Sequence, residues 1–141
     1  MKKVRHRTTR ATLLVVDRLN LTDLPGKDLA GADLAEEDLG ATNLRAASLR
    51  GADLHGAWLR RTNLNDADLH AADLRGVDAQ GADLQRANLS NADLTGADLQ
   101  GADLRGANFA GACLTDADLR GANLRGVAVT VGNRTILTSN A

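Results

Sequence analysis

Residues 81–104 read GADLQRANLSNADLTGADLQGADL, and leucine returns at every fifth position of this stretch. The same spacing runs from Leu24 to Leu124, interrupted only by Ala79 and Phe109. The residue two places before each leucine is usually alanine, and the residue directly before it is usually aspartate or asparagine. A self-similar unit of fixed length is typical of proteins that stack repeated units, so the repeat decides the architecture before any other feature does.

A period of five fits neither regular secondary structure. A helix places side chains on one face with a period of 3.6 and a strand with a period of 2. Twelve of the 14 glycines lie two places after the repeated position, where a tight turn with positive φ suits glycine. The pattern therefore predicts a coil that turns a corner once per unit, with leucine and alanine packed in a narrow interior.

This pattern resembles the pentapeptide repeat family. The resemblance covers residues 22 to 130 without an insertion. It implies an all-β fold, a right-handed quadrilateral β-helix in a single domain with four units per coil and about five coils, stacked at the strand spacing of about 4.8 Å. Residues 20 apart would then lie in columns along the rod.

The repeated positions are the predicted core. One unit departs from the pattern, because Ala79 replaces the leucine while Val77 replaces the preceding alanine, an exchange that roughly conserves buried volume. The core residues that we single out are Leu34, Leu54, Leu74, Leu94, Leu104, Phe109 and Leu114.

Composition divides the chain into four segments. Residues 1–10 hold five of the 17 Lys and Arg and are expected to form a basic, mobile arm. Residues 11–23 keep a five-residue leucine step without small companions, which predicts a degenerate coil that caps the front end. Residues 24–130 are the repeat, and residues 131–141 are expected to close it with a short strand, a cap and a tail.

The end of the repeat predicts a hairpin. Residues 127–131 and 134–137 are rich in β-branched residues and flank a Gly132-Asn133 turn signal.

The net charge of −1 combines a basic start with an acidic body. Residues 11–141 carry 12 Lys and Arg and 18 Asp and Glu, so 12 − 18 = −6. The apolar run 13–16 is too short for a signal peptide or a membrane span, so we expect a cytoplasmic protein without a membrane contact. Cys113 is the single cysteine, so no disulfide can form within the chain.

Two adjacent faces are predicted to carry rows of outward side chains. Neighbours in a row would lie one strand spacing apart, so like-charge repulsion is expected to raise the pKa of some carboxyls. We take the capping of backbone groups at the corners as their main role. The Asp33 column contains Asp33, Asp53, Asp73, Asp93 and Cys113; the Trp58 column contains Asp38, Trp58, Asp78, Asp98 and Asp118.

Trp58 takes the place of an aspartate at an outward position. Because tryptophan is enriched at interface hot spots, Trp58 and the aspartates of both columns form the candidate partner-binding surface. Arg60 is close enough in sequence to lie against the indole ring.

No enzymatic chemistry is predicted. A convex rod offers no cleft in which a substrate would lose its water. His55 and His70 are predicted on different faces and cannot share a metal ion, and the chain has no Gly-Lys-Ser/Thr phosphate loop. We therefore expect no catalytic residue, no metal, no cofactor and no small-molecule substrate.

A non-enzymatic protein-interaction module is the leading hypothesis. The resemblance implies a partner, because some pentapeptide repeat proteins bind DNA gyrase or related type II topoisomerases and protect them from quinolones, and an acidic rod suggests mimicry of DNA. Two alternatives stay open: a structural scaffold or spacer in a larger assembly and, less favoured, contact of the basic arm with nucleic acid. The sequence leaves the oligomeric state open.

Overall fold

The computed structural model describes residues 1–20, 22–131 and 134–137. Its strands are short, and the chain between the second and third strands forms coils in which each unit contributes one bridge residue and a turn. No helix in the described part of the chain has the length and apolar character needed to cross a membrane. The strands are β1 (Lys2–Arg5), β2 (Thr12–Val16), β3 (Ala128–Val131) and β4 (Arg134–Leu137).

Four units close one coil. Asp53 forms a parallel bridge with Asp73, Asp73 forms one with Asp93, and the same step of 20 residues recurs in all four rows. Each step is held by backbone hydrogen bonds: Leu54 N donates to Asp73 O at 2.8 Å, and Asp73 N donates to Ala52 O at 2.9 Å. The predicted quadrilateral β-helix is confirmed.

The corners use a backbone conformation with positive φ. At one corner Gly51 has φ +60°, and the next residue, Ala52, donates its N–H to Leu49 O at 3.0 Å. Residues with side chains also occupy this position, such as Glu36 with φ 57° and Arg61 with φ 56°. Because this conformation costs a side-chain residue about 1 kcal/mol, the stacked coils must impose it.

The interior is filled by leucine and alanine side chains. Leu114 departs from the prediction because it is only partly buried. It belongs to the last coil, and the described residues add no further complete coil over it. Val77 and Ala79 are 2% and 1% exposed, so both members of the compensating unit face the interior. The other predicted core residues are all buried: Leu34, Leu54, Leu74, Leu94, Leu104 and Phe109.

Two buried threonines replace alanine at inward positions. Thr42 Oγ1 donates to Leu19 O at 2.8 Å, and Thr62 Oγ1 donates to Leu39 O at 2.7 Å. A buried hydroxyl without a partner would be costly, so these carbonyls of the neighbouring coil are what make threonine acceptable inside the rod.

An N-terminal hairpin covers the front end of the rod. β1 pairs antiparallel with β2, and Val4 and Leu14 are buried against the first coil. The expected degenerate coil at residues 11–23 is therefore wrong in its first half, since residues 12–16 are the second strand of this hairpin.

β1 also continues the hydrogen bonding of the coil. Asp33 N donates to Arg5 O at 2.8 Å, and Arg7 N donates to Gly31 O at 2.8 Å. The expectation of a free, mobile arm at residues 1–10 is corrected for residues 2–7. The physical reason is the unpaired backbone edge of the first coil, which β1 satisfies while burying its apolar residue.

The C-terminal hairpin forms as predicted in the described residues. β3 and β4 pair antiparallel, with Val129 opposite Ile136. The rod runs into β3 through a parallel bridge between Asn108 and Ala128. Residues 132, 133 and 138–141, which include the predicted turn and tail, lie outside the described part.

We expect Gly31→Ala to destabilise the protein more than Gly51→Ala. Both glycines have positive φ and occupy the same corner in successive coils. A Cβ at Gly51 would meet nothing within 4 Å, whereas a Cβ at Gly31 would collide with the ring of His6. Gly51→Ala should therefore cost only the conformational penalty of about 1 kcal/mol, and Gly31→Ala should also force the His6 ring to move and disturb the hydrogen bonds that its Nδ1 accepts from Thr8 N and Thr9 N. Thermal unfolding and amide exchange at Asp33 measure the difference, and equal losses would contradict this placement of the hairpin.

Candidate functional site

The outward Asp and Asn side chains close local turns. Most of them accept a hydrogen bond from the backbone N–H two residues later: Gln100 N donates to Asp98 Oδ1 at 3.1 Å, and Asn65 N donates to Asn63 Oδ1 at 3.1 Å. This contact recurs along the rod. The predicted corner-capping role is confirmed. This role accounts for aspartate and asparagine at the outward position, and no ligand is needed to explain them.

The Asp33 column is largely paired with cations. Asp33 lies 3.6 Å from Arg10, and Asp53 Oδ1 lies 2.8 Å from His55 Nδ1. Asp73 accepts two hydrogen bonds, at 2.8 and 2.6 Å, from the guanidinium of Arg75. The structure therefore brings the predicted column together but neutralises much of its charge.

The Trp58 column contains an exposed aromatic ring among carboxylates. Trp58 is 57% exposed and forms backbone bridges to Asp38 on one side and Asp78 on the other. Arg60 Nε donates to Asp78 Oδ2 at 2.6 Å, so the guanidinium expected against the ring is held by this carboxylate.

Further along the Trp58 column the two carboxylates differ in charge compensation. Asp98 accepts a hydrogen bond from the Gln80 amide at 2.6 Å and has no cation within ion-pair distance among the described residues. Asp118 is paired with Arg120 at 2.5 Å. Within the described part of the chain, Asp38 and Asp98 are thus the carboxylates of this column without a cation at ion-pair distance.

The expected rise in carboxyl pKa is wrong for Asp73, Asp93 and Asp118, whose pKa values are lowered. The Arg75 guanidinium lowers the pKa of Asp73, the hydrogen bond from Thr95 lowers that of Asp93, and the Arg120 guanidinium lowers that of Asp118. Repulsion from Asp73 does push the pKa of Asp93 upward, but less than the Thr95 contacts lower it. Donors two residues along the chain therefore outweigh the neighbour in the column.

One cluster was not predicted from the sequence. Asp53, His55 and Asp73 place potential ligand atoms within 4.8 Å of one another. Arg75 already holds both oxygens of Asp73, so the arrangement is an ion-pair cluster rather than an open set of metal ligands. The spacing i, i+2 and i+20 of Asp53, His55 and Asp73 is the sequence pattern from which this cluster could have been predicted. His70 lies beside Ser90 on another face, as predicted.

We expect Asp53→Asn to lower the pKa of His55. The hydrogen bond and charge of Asp53 raise this pKa above its ordinary value. Because the folded pKa is raised, the interaction stabilises the fold below the unfolded pKa of about 6.5 and is lost as pH rises through the folded value. Proton NMR titration of the His55 ring measures the shift. Asp98→Asn on the next face is the matched control and should leave the titration in place; an unchanged His55 pKa in Asp53→Asn would contradict the pairing.

The profile described as pentapeptide repeats matches three overlapping segments, residues 28–66, 59–91 and 87–126, with eight copies. The chain belongs to the pentapeptide repeat family. Right-handed quadrilateral β-helices are the architecture of this family, so the handedness of the rod follows as well. A comparison with curated protein sequences gives no match.

Solved pentapeptide repeat structures share this fold. A pentapeptide repeat protein (Rfr23) from the cyanobacterium Cyanothece 51142 is 29% identical, with a TM-score of 0.60 over 82% of this chain and 85% of that chain. QnrB1, a plasmid-mediated fluoroquinolone resistance protein, is 16% identical, with a TM-score of 0.56 over 75% and 71%. A thylakoid lumen member from Arabidopsis thaliana is 37% identical over 75% and 63%, with a TM-score of 0.32. At 16% identity the QnrB1 likeness shows the fold alone.

Proposed function

We propose that this pentapeptide repeat protein is a non-enzymatic, cytoplasmic interaction module that binds another protein through the Trp58 column. The observation that carries the proposal is the exposed indole of Trp58, set between the carboxylates of Asp38 and Asp78 on a rigid backbone. A rigid aromatic anchor loses little conformational entropy on binding, which is why tryptophan dominates many interfaces.

DNA gyrase or a related type II topoisomerase is the partner we propose to test first, with the rod acting as a mimic of DNA. Support comes from the family resemblance and from Asp38 and Asp98, the two candidate carboxylates that have no cation within ion-pair distance among the described residues. Negative carboxylates spaced along the rod would attract the basic surface with which a protein binds DNA. The paired carboxylates contribute less, because a neighbouring guanidinium cancels most of their field.

A structural scaffold or spacer is the second candidate. The observation that favours it is charge compensation, since six of the eight candidate aspartates lie within ion-pair distance of a cationic side chain. When the outward charges of a rod are paired with each other, its electrostatic attraction to a charged partner is weaker. The six are Asp33, Asp53, Asp73, Asp78, Asp93 and Asp118.

Gyrase supercoiling assays, with and without a quinolone, test the proposal. We expect the native protein to alter supercoiling or quinolone inhibition, and Trp58→Ala to require about 10- to 30-fold more protein for the same effect, as expected for the loss of a hot spot. Asp38→Asn with Asp98→Asn should weaken the effect while keeping the turn, because asparagine retains the capping Oδ1 atom.

The matched control is Asp28→Asn with Asp83→Asn. It makes the same change in charge on the other two faces, at residues without an ion pair in the described part of the chain. An unaltered reaction at tens-of-fold molar excess of native protein eliminates the topoisomerase partner and favours the scaffold. Equal losses in the two double variants would show that net charge, rather than the Trp58 column, controls binding.

A further inference from the structure

The N-terminal hairpin presents a set of cations that the proposed function does not use. Lys3 and Arg5 alternate along β1 with the buried Val4, so both point outward, and Arg7 lies in the turn that follows the strand. All three are exposed. We call Lys3, Arg5 and Arg7 the cap face.

The cap face differs from the other cations of the hairpin. Lys2 pairs with Glu37, and Arg10 lies 3.6 Å from Asp33. No carboxylate of the described residues lies within ion-pair distance of Lys3, Arg5 or Arg7. Positive charge is therefore left uncompensated at the tip of a rod whose residues 11–141 carry a net negative charge.

The backbone holds these cations in place. β1 is bound to β2 on one side, while Arg5 O and Arg7 N bond to the first coil on the other. Alternate residues of a strand are about 6.8 Å apart, which sets the spacing of Lys3 and Arg5, and the hydrogen bond from Arg7 N to Gly31 O holds the backbone of Arg7 beside them. Preorganised cations lose less entropy on binding an anion than cations on a mobile arm do.

We propose that the cap face binds the phosphate backbone of a duplex nucleic acid, independently of base sequence. Each exposed ion pair with a carboxylate contributes little, so three such contacts with a second copy would not offset the entropy lost on association. A duplex differs because its condensed counterions are released when cations bind phosphates. The acidic body repels the duplex, so contact is made end-on through the tip.

Fluorescence anisotropy of a labelled DNA duplex, titrated with the full chain at rising salt, tests the proposal. Three phosphate contacts predict a slope of log K against log salt of about −2.7, and Arg5→Gln with Arg7→Gln should reduce it to about −0.9 and weaken binding at low salt at least about 10-fold. The matched control is Arg61→Gln with Arg125→Gln, which removes two exposed guanidinium groups whose side chains form no described ion pair. It should retain the native slope, and circular dichroism should show both variants folded.

Several outcomes would overturn the proposal. These are no binding by the native protein at low salt, an equal loss in the control variant, or a native slope in the cap variant. Light scattering that shows self-association through the cap face without DNA binding would assign it to a second copy. Binding to anionic vesicles but not to duplex would assign it to lipid. The result does not depend on gyrase, so this proposal and the proposed function can fail separately.

Discussion

Leu54→Ala is expected to lower the free energy of unfolding by about 2 to 5 kcal/mol. Leu54 is 0% exposed and lies in a coil that has neighbouring coils on both sides. The cavity left by alanine cannot collapse easily, because Leu54 N is bonded to Asp73 O in the next coil. In a stack of repeats each coil contacts only its neighbours, so a defect in the middle also weakens the coupling of the two halves.

Urea denaturation followed by far-ultraviolet circular dichroism measures this loss. Leu119→Ala is the matched control, because it makes the same truncation at a partly buried leucine of the last coil. We expect a clearly smaller loss there, since less apolar surface returns to water. Similar losses at Leu54 and Leu119 would contradict a core that is tightest in the interior coils.

Val77→Ala and Ala79→Leu should each be destabilising, whereas the double variant should recover most of the native stability. Both side chains are buried in the same unit. Val77→Ala removes two buried carbon atoms and should cost about 1 to 2 kcal/mol. Ala79→Leu adds three carbon atoms beside Val77 and should cost about 1 to 3 kcal/mol through overpacking. Together they restore the regular alanine and leucine of the repeat.

A double-mutant cycle on the free energies of unfolding measures this compensation. We expect a favourable coupling of at least about 1 kcal/mol, since the two positions share one packing space. A cycle of Val77→Ala with Leu34→Ala, in a different coil two coils away, is the control and should be additive. Additive losses in the Val77 and Ala79 cycle would show that the two substitutions do not compensate each other in volume.

The candidate surface was predictable in position but not in charge. Asp38, Trp58 and Asp78 form one row because their spacing of 20 residues is a whole coil. Whether the charge of a carboxylate is compensated depends on which carboxylate each nearby arginine side chain contacts. Arg75 bends back to the aspartate two residues before it, whereas Arg60 reaches the next coil. Both arginines occupy the same position in their unit, so the repeat does not distinguish them.

The sequence by itself determined the coil, the inward leucines and the corners, and the resemblance to the pentapeptide repeat family supplied the four units per coil that set the columns. It could do so because these features depend on contacts that recur at one spacing, and every unit supplies the same local evidence. Only the tertiary structure decided the course of residues 2–16 and the pairing of surface charges. The reason is that β1 is fixed by the open edge of a coil nearly thirty residues later, at Gly31 and Asp33. A contact made once, between distant segments, leaves no periodic trace in the sequence.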